Sequence, residues 1–346
     1  MYKYVLKRLG LAFISIFIIL SLTFILMKLL PFQMPIFSKK SEFYAFFVNQ
    51  VQMGYVVDCK VPTEGLGKLL YEYQDPMKKM HYFYSAPVFQ QYFSWLKGIV
   101  TEWNWGVSTK VQVNTGAIYI IAARLPQSMK INIFSVIFSV PLGIVLGIIA
   151  ALNKNKATDH IISSGVMVLI SIPSFVLIMV IMYIFCYKLR WFPTQWPGVT
   201  ANTSERILGY IVPVTALSFG SVCGYARFTR AELCEVMSSD YLLLAVTKGL
   251  TKRQAILRHA LRNAMVPIIP AILAEFIGIL GGSMILENLY GINGIGDLFI
   301  KALNKQDYKV LFVDMAVFTT IGLLAGVVLD ISYGFIDPRI KMGAKK

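Results

Sequence analysis

Few residues of this 346-residue chain can do covalent or metal chemistry, and they are scattered. Three histidines (His81, His160, His259) and four cysteines (Cys59, Cys186, Cys223, Cys234) fall in separate segments, with neither metal-ligand spacing nor a disulfide framework. There is no H-E-x-x-H, no G-x-S-x-G and no Walker A phosphate loop. What the residue types do support is recognition. The segment from Ser238 to Pro267, SSDYLLLAVTKGLTKRQAILRHALRNAMVP, mixes apolar and basic residues in a length too short and too charged to cross a bilayer. It is also too apolar for a solvated loop, so it needs a protein partner or a lipid surface.

The elements around it are apolar. The chain is 56% hydrophobic and 15% charged, with mean hydropathy +0.63. Stretches of about 20 apolar residues, enough to cross a hydrocarbon core, recur along it. They predict six spans near 9–30, 131–152, 161–189, 207–228, 265–286 and 310–335, hence an all-α polytopic membrane protein. The basic start MYKYVLKRLG precedes a run too long for a signal peptide, without an A-x-A-like cleavage site, which predicts a retained first span. The basic loop NKNKATDH, the 238–267 segment and DPRIKMGAKK fall on one side, so both termini are expected in the cytoplasm. The net charge of +15 thus follows span ends and is no nucleic-acid signal. The domain organisation expected is a first span (1–30), a long extracytoplasmic loop or subdomain (31–125), a transmembrane domain (126–340) with helices at 238–263 facing the cytoplasm, and a cytoplasmic tail (341–346).

Within the charged segment, Ser238, Ser239 and Asp240 suit a helix N-cap, and Tyr241 to Lys248 follow as about two turns. Gly249 suits the left-handed position that ends a helix. Thr251 and Gln254 then form a capping box. The second helix places Ile256, Leu257, Ala260, Leu261 and Ala264 on one stripe and Arg258 and Arg262 on another face. Because LLLAV is apolar nearly all round, two readings stand: an interfacial helix lying on lipid, or a helix inserted into a groove of a soluble partner.

The pattern D-Y-x4-A-x2-K-G-L followed by R-H-A-L-R-N-A-x2-P resembles the cytoplasmic loop signature of binding-protein-dependent ABC transporter permeases, in the form typical of the dipeptide/oligopeptide permease family. The matching residues are Asp240, Tyr241, Ala245, Lys248, Gly249, Arg258, His259, Ala260, Leu261, Arg262, Asn263, Ala264 and Pro267. Further matches are Tyr4-x3-Arg8, PVFQQYFSWLKG leading to Trp105-Gly106-x-Ser108, Arg124-Leu125-Pro126, Glu287-x3-Gly291 with Gly294 and Gly296, and Asp330-x6-Asp337-Pro338-Arg339. The chain departs from the family pattern at Pro31-Phe32-Gln33-Met34-Pro35, at Glu102-Trp103-Asn104-Trp105-Gly106, at Asn293 and over residues 36–85.

The resemblance implies a type I ABC importer transmembrane fold and a peptide permease subunit forming half of a pathway. It implies a second permease chain of different sequence, two ATPase subunits carrying ATP and Mg, an extracellular substrate-binding protein and a peptide substrate in a bacterial plasma membrane. ATPase coupling is then expected of Asp240, Tyr241, Leu244, Ala245, Lys248, Gly249, Arg258, His259, Arg262 and Asn263. No cofactor and no catalytic residue is expected in the chain itself. Relatives of the family also move nickel complexes or glutathione, and a secondary transporter or a polytopic membrane enzyme remain the other classes.

Glu275 lies within the span expected at 265–286, and a charge there faces a cavity or a partner. It either lines a pathway and meets a cationic substrate group, or is protonated or hydrogen-bonded between helices. Asp314 and Asp330 are expected at the two interfacial ends of the last span. The aromatics of residues 81–105, Trp95, Trp103 and Trp105 among them, are expected to pack a small subdomain.

Overall fold

A computed structural model describes residues 2–32, 34–37, 39–62, 67–198, 200–278 and 282–336. In chain order the elements are α1 (Tyr2–Leu29), α2 (Lys40–Gln52), β1 (Val56–Cys59), β2 (Leu69–Gln74), β3 (Met80–Ser85), α3 (Val88–Glu102), α4 (Ala117–Leu152), α5 (Ala157–Ser171) and α6 (Ser174–Ile181). A π-helical stretch, Met182–Lys188, extends α6. Then come α7 (Thr203–Met237), α8 (Asp240–Thr247), α9 (Lys252–Ala255), a second π stretch (Ile256–Ala260), α10 (Leu261–Gly278), α11 (Met284–Tyr290), α12 (Ile295–Lys305) and α13 (Tyr308–Ile336).

Four described helices are long and apolar enough to cross a membrane: α1, α4, α7 and α13. The expected span at 161–189 is instead broken at Pro173: α5 and α6 with its π extension meet at 102°, giving a fifth span if the pair crosses as one. Pro173 lacks the amide that would continue the ladder, and the residue before it, Ile172, adopts an extended conformation (ψ 126°). The expected span at 265–286, fifth in the order above, falls on α10 and α11, with residues 279–281 outside the described part. Two boundaries also move. Helix α4 begins at Ala117, so Arg124-Leu125-Pro126 lies inside it rather than before a span, and α9 runs without interruption through its π turn into α10. The tail 341–346 and Asp337-Pro338-Arg339 lie outside the described residues.

The chain divides into two compact units. One comprises Leu11–Ala123 and Leu298–Thr320. It corrects the all-α expectation, because it holds an antiparallel sheet of order β1-β3-β2. Asp75 ends β2 and its Oδ1 accepts from the Lys79 amide at 2.8 Å, closing the turn into β3. Alternation along β2 sends Tyr71 and Tyr73 to one face. There Phe47 stacks on Tyr71 at 5.1 Å and on Phe83 at 5.1 Å, while Tyr44 stacks on Tyr73 at 4.6 Å. Trp95 is buried between Phe24 (4.7 Å) and Phe312 (5.5 Å), which joins α3 to α1 and α13. Trp103, by contrast, is 65% exposed.

The Trp105-Gly106-x-Ser108 motif acquires a role in this unit. Asp307, wholly buried, accepts through Oδ2 from Ser108 Oγ (2.6 Å) and from the amides of Thr109 (3.0 Å), Lys110 (2.9 Å) and Val111 (3.0 Å). The loop after α3 is thus wrapped around a carboxylate just ahead of α13.

The other unit comprises Met1–Gly10, Arg124–Asp297 and Ile321–Lys346. One core layer gathers Ile131, Ile178, Val212, Leu286, Tyr290 and neighbours. Helices α4 and α7 approach closely along Gly143 and Gly147. A Cβ on Gly143 would lie 2.8 Å from the Val222 carbonyl oxygen, and one on Gly147 would lie 2.7 Å from that of Ala226. Small residues four apart permit this approach. At the end of α1, Arg8 donates to Tyr4 Oη (3.1 Å) and pairs with Asp330 of α13 at 3.0 Å. Asp314, expected at an interface, is wholly buried. The close α4–α7 contact predicts that Gly147→Leu destabilises the chain by about 1–3 kcal/mol through overpacking, measured as a lower melting temperature in detergent; an unchanged melt would deny that the helices meet there.

Candidate functional site

Helix α8 follows α7 after a two-residue break. Ser239 is the N-cap residue by backbone geometry (φ −81°, ψ 148°), but its hydroxyl donates to the Val236 carbonyl instead of capping an amide. Asp240 opens the helix, where a negative charge meets the positive end of the dipole. The helix closes at Gly249, whose φ of +98° lies in the left-handed region, and the Leu250 amide bonds back to Ala245. Restart follows at once: the Thr251 amide donates to Gln254 Oε1 (3.2 Å) and the Gln254 amide to Thr251 Oγ1 (3.3 Å), a reciprocal capping box.

Leu242 decides how α8 is held. It is 6% exposed, packed in a cluster with Ala151 of α4, Leu233 of α7 and Ala255, Ile256, Ala260 and Ala264, and Ala245 rests against the same cluster. Its neighbours face the other way: Leu243 is 65% and Leu244 56% exposed, and Tyr241 and Val246 are exposed too. The helix therefore has one apolar contact inside the chain and a broad apolar surface outside it. Asp240, Lys248 and Gly249 flank that surface, and Arg258, His259, Arg262 and Asn263 are exposed along the following helix. An apolar patch bordered by Lys and Arg suits a partner with a hydrophobic groove and an acidic rim.

Sequence reasoning did not single out Asp159, although it is the lone acid in a basic loop. It is 1% exposed and is held by Arg230 of α7 through both guanidinium edges (Nε to Oδ1 2.5 Å, Nη2 to Oδ2 2.7 Å), by the Asn155 amide (2.9 Å) and by Ser163 Oγ (3.1 Å). This bidentate pair fixes α5 against α7 near the point where α7 leads into α8. Glu275 lies apart from the α8 surface, half-buried on α10, and is hydrogen-bonded to the Tyr225 hydroxyl of α7.

The Glu287-x3-Gly291 turn encloses another buried acid. Glu287 is 2% exposed and accepts from the amides of Asp297 (3.1 Å) and Ser283 (3.3 Å). Burial pushes its carboxyl above the usual range, against the pull of these hydrogen bonds and one from Ser128. Arg124, another motif residue, lies 3.4 Å from Asp297.

The unequal burial within α8 separates two substitutions. Leu242→Ala should cost about 2–5 kcal/mol of stability, the usual range for a core leucine. Leu244→Ala should change stability by no more than about 0.5 kcal/mol. Thermal unfolding of the purified chain measures both, and equal losses would mean that α8 is not seated by Leu242.

A family model described as binding-protein-dependent transport system inner membrane component matches residues 143–342, a range that includes α8 and the capping box. The chain is similar over nearly its whole length to curated relatives. It is 32% identical to the dipeptide transport system permease protein DppB of Lactococcus lactis subsp. cremoris and 31% identical to the oligopeptide transport system permease protein OppB of Haemophilus influenzae, in each case over 99% of this chain and 100% of the relative. A chain of the MetNI methionine ABC transporter, solved in inward-facing conformations, superposes with a TM-score of 0.52 at 14% identity, covering 64% of this chain and 97% of that one. That likeness shows a shared fold, the type I ABC importer transmembrane fold. The chain belongs to the family of binding-protein-dependent transport system inner membrane components.

Proposed function

We propose that this chain is a permease subunit of an ATP-driven importer of oligopeptides or dipeptides, and that α8 is the element through which ATPase subunits act on it. The observation that carries the reading is the helix anchored by Leu242 with Leu243, Leu244 and Val246 left bare beside it. Such a surface suits a groove on a soluble subunit. ATP and Mg belong to two ATPase partners, and this chain supplies no catalytic group and holds no cofactor. A second, different permease chain completes the pathway, and an extracellular binding protein delivers peptide. Both termini lie in the cytoplasm of a bacterial cell, with residues 31–125 outside.

In this scheme, closure of the ATPases displaces α8. Because Leu242 is packed with Leu233 of α7 and Ala260 and Ala264 of the α9–α10 run, the displacement passes into both helices and re-aims them. Asp240, Tyr241, Lys248, Arg258, His259, Arg262 and Asn263 line the docking face, with Gly249 setting the angle between its two helices. Glu275, bonded to Tyr225 between α7 and α10, lines the pathway at the point those two helices control.

Leu243→Glu combined with Val246→Glu should lower peptide uptake by at least tenfold, roughly 1.4 kcal/mol or more of coupling, with unchanged amounts of chain in the membrane. A photo-crosslinker at position 243 should capture the ATPase. Uptake unaffected by the charges, or crosslinks only to lipid, would overturn the reading. For Glu275, Glu275→Gln should raise the KM of uptake roughly tenfold, as loss of a charged hydrogen bond does, while Tyr225→Phe leaves KM unchanged. Equal effects would reduce Glu275 to a tie between helices.

A further inference from the structure

The unit formed by residues 11–123 and 298–320 contains a cleft of about 340 Å³ that the transport reading leaves without a role. We propose that this cleft binds a phosphate group, carried by a phospholipid headgroup or free in solution. Three lysines line it: Lys28 in the last turn of α1, Lys309 in the first turn of α13, and Lys68 just before β2. Two of them converge on one aromatic ring. Lys28 Nζ lies 4.8 Å and Lys309 Nζ 5.7 Å from the centroid of Tyr55. Among the described residues neither lysine has a carboxylate at ion-pair distance, and no described residue lining the cleft is acidic. The closest acid in sequence, Asp307, directs one oxygen at Ser108 and three loop amides. Two ammonium groups drawn together repel each other, the Asp307 carboxylate acts on Lys309 only from beyond ion-pair distance, and an anion in the cleft relieves that repulsion.

A second observation points the same way. Gln50 is 3% exposed and lines the cleft, its Oε1 accepting from Lys309 Nζ at 3.3 Å. That contact fixes the amide's orientation, and its Nε2, fully buried, has no hydrogen-bond partner. A buried donor left unmet is costly, and an acceptor in the cleft satisfies it. Burial also pushes the Tyr55 hydroxyl up to about 12, so that it stays neutral. The charged side chains lining the cleft are therefore all cations, and the neutral polar ones can donate. The lysines supply point charges of the kind that hold a phosphate group. Met27, Leu30 and Phe32 give the cleft an apolar side that suits a stem attached to the phosphate. Lys28 and Lys309 sit at the ends of two helices long enough to cross the bilayer, a position at headgroup depth.

Native mass spectrometry of the full chain in a neutral detergent tests this, with phosphatidylglycerol, phosphatidylcholine and inorganic phosphate as probes. Phosphatidylglycerol should bind at least tenfold tighter than zwitterionic phosphatidylcholine. Lys28→Gln with Lys309→Gln should weaken it at least tenfold without lowering the melting temperature, since a repelling pair is removed. If millimolar inorganic phosphate displaces the lipid and binds alone, the source is free phosphate; if it does neither, the source is the headgroup. Binding by the double variant within twofold of the parent chain for every probe overturns the proposal. Should that variant fail to fold, Gln50→Met and Lys68→Gln, each expected to bind at least threefold more weakly, decide in its place, and unchanged binding in both overturns it equally.

Discussion

The seating of one leucine sets the terms for the rest of the membrane unit. Helix α8 has eight residues, well below the length at which a helix stands by itself in water. Its order comes from Leu242 in the pocket formed by Ala151, Leu233 and the α9–α10 face, and from the Gly249 turn that closes it. That pocket exists because α4 and α7 run close enough for Ala151 and Leu233 to share it, and Gly143 and Gly147 set that spacing. The apolar surface of α8 is thus presented by a chain of contacts that begins in the bundle.

Buried acids are the second organising device, and three of them are satisfied in different ways. Asp159 is paired with an arginine, Asp307 is ringed by loop amides, and Glu287 accepts amides within a turn yet stays raised by burial. In each case the acid pins a loop or a helix end to a neighbouring helix. Burying a carboxylate is tolerable only when its oxygens are engaged, so these positions specify geometry more sharply than apolar contacts do.

Much of this was legible in the residues. The length and hydropathy of α1, α4, α7 and α13 announce themselves, as do the Gly249 stop and the Thr251/Gln254 capping box, because each depends on local chemistry. The sheet within 31–125 was not legible. Its strands are four to six residues long, and aromatic side chains that point to a packed subdomain do not say that it is built on a sheet. The 102° bend was missed because hydropathy runs straight through Pro173. Leu242 is indistinguishable from Leu243 and Leu244 by type, and only the packing of distant helices selects it. Asp159, Asp307 and Glu287 find partners that are 71, 199 and 10 residues away or that are backbone amides, which no local pattern encodes.

The pairing of Arg8 with Asp330 brings the outermost described motifs together. A ribosome delivers Asp330 long after Arg8, so until α13 is made the Arg8 guanidinium has Tyr4 but not its carboxylate. The same delay holds for Ser108, whose carboxylate partner Asp307 is made 199 residues later. Assembly of this chain is therefore closed from its C-terminal side, and a product ending before residue 307 would leave both early partners open to quality-control proteases.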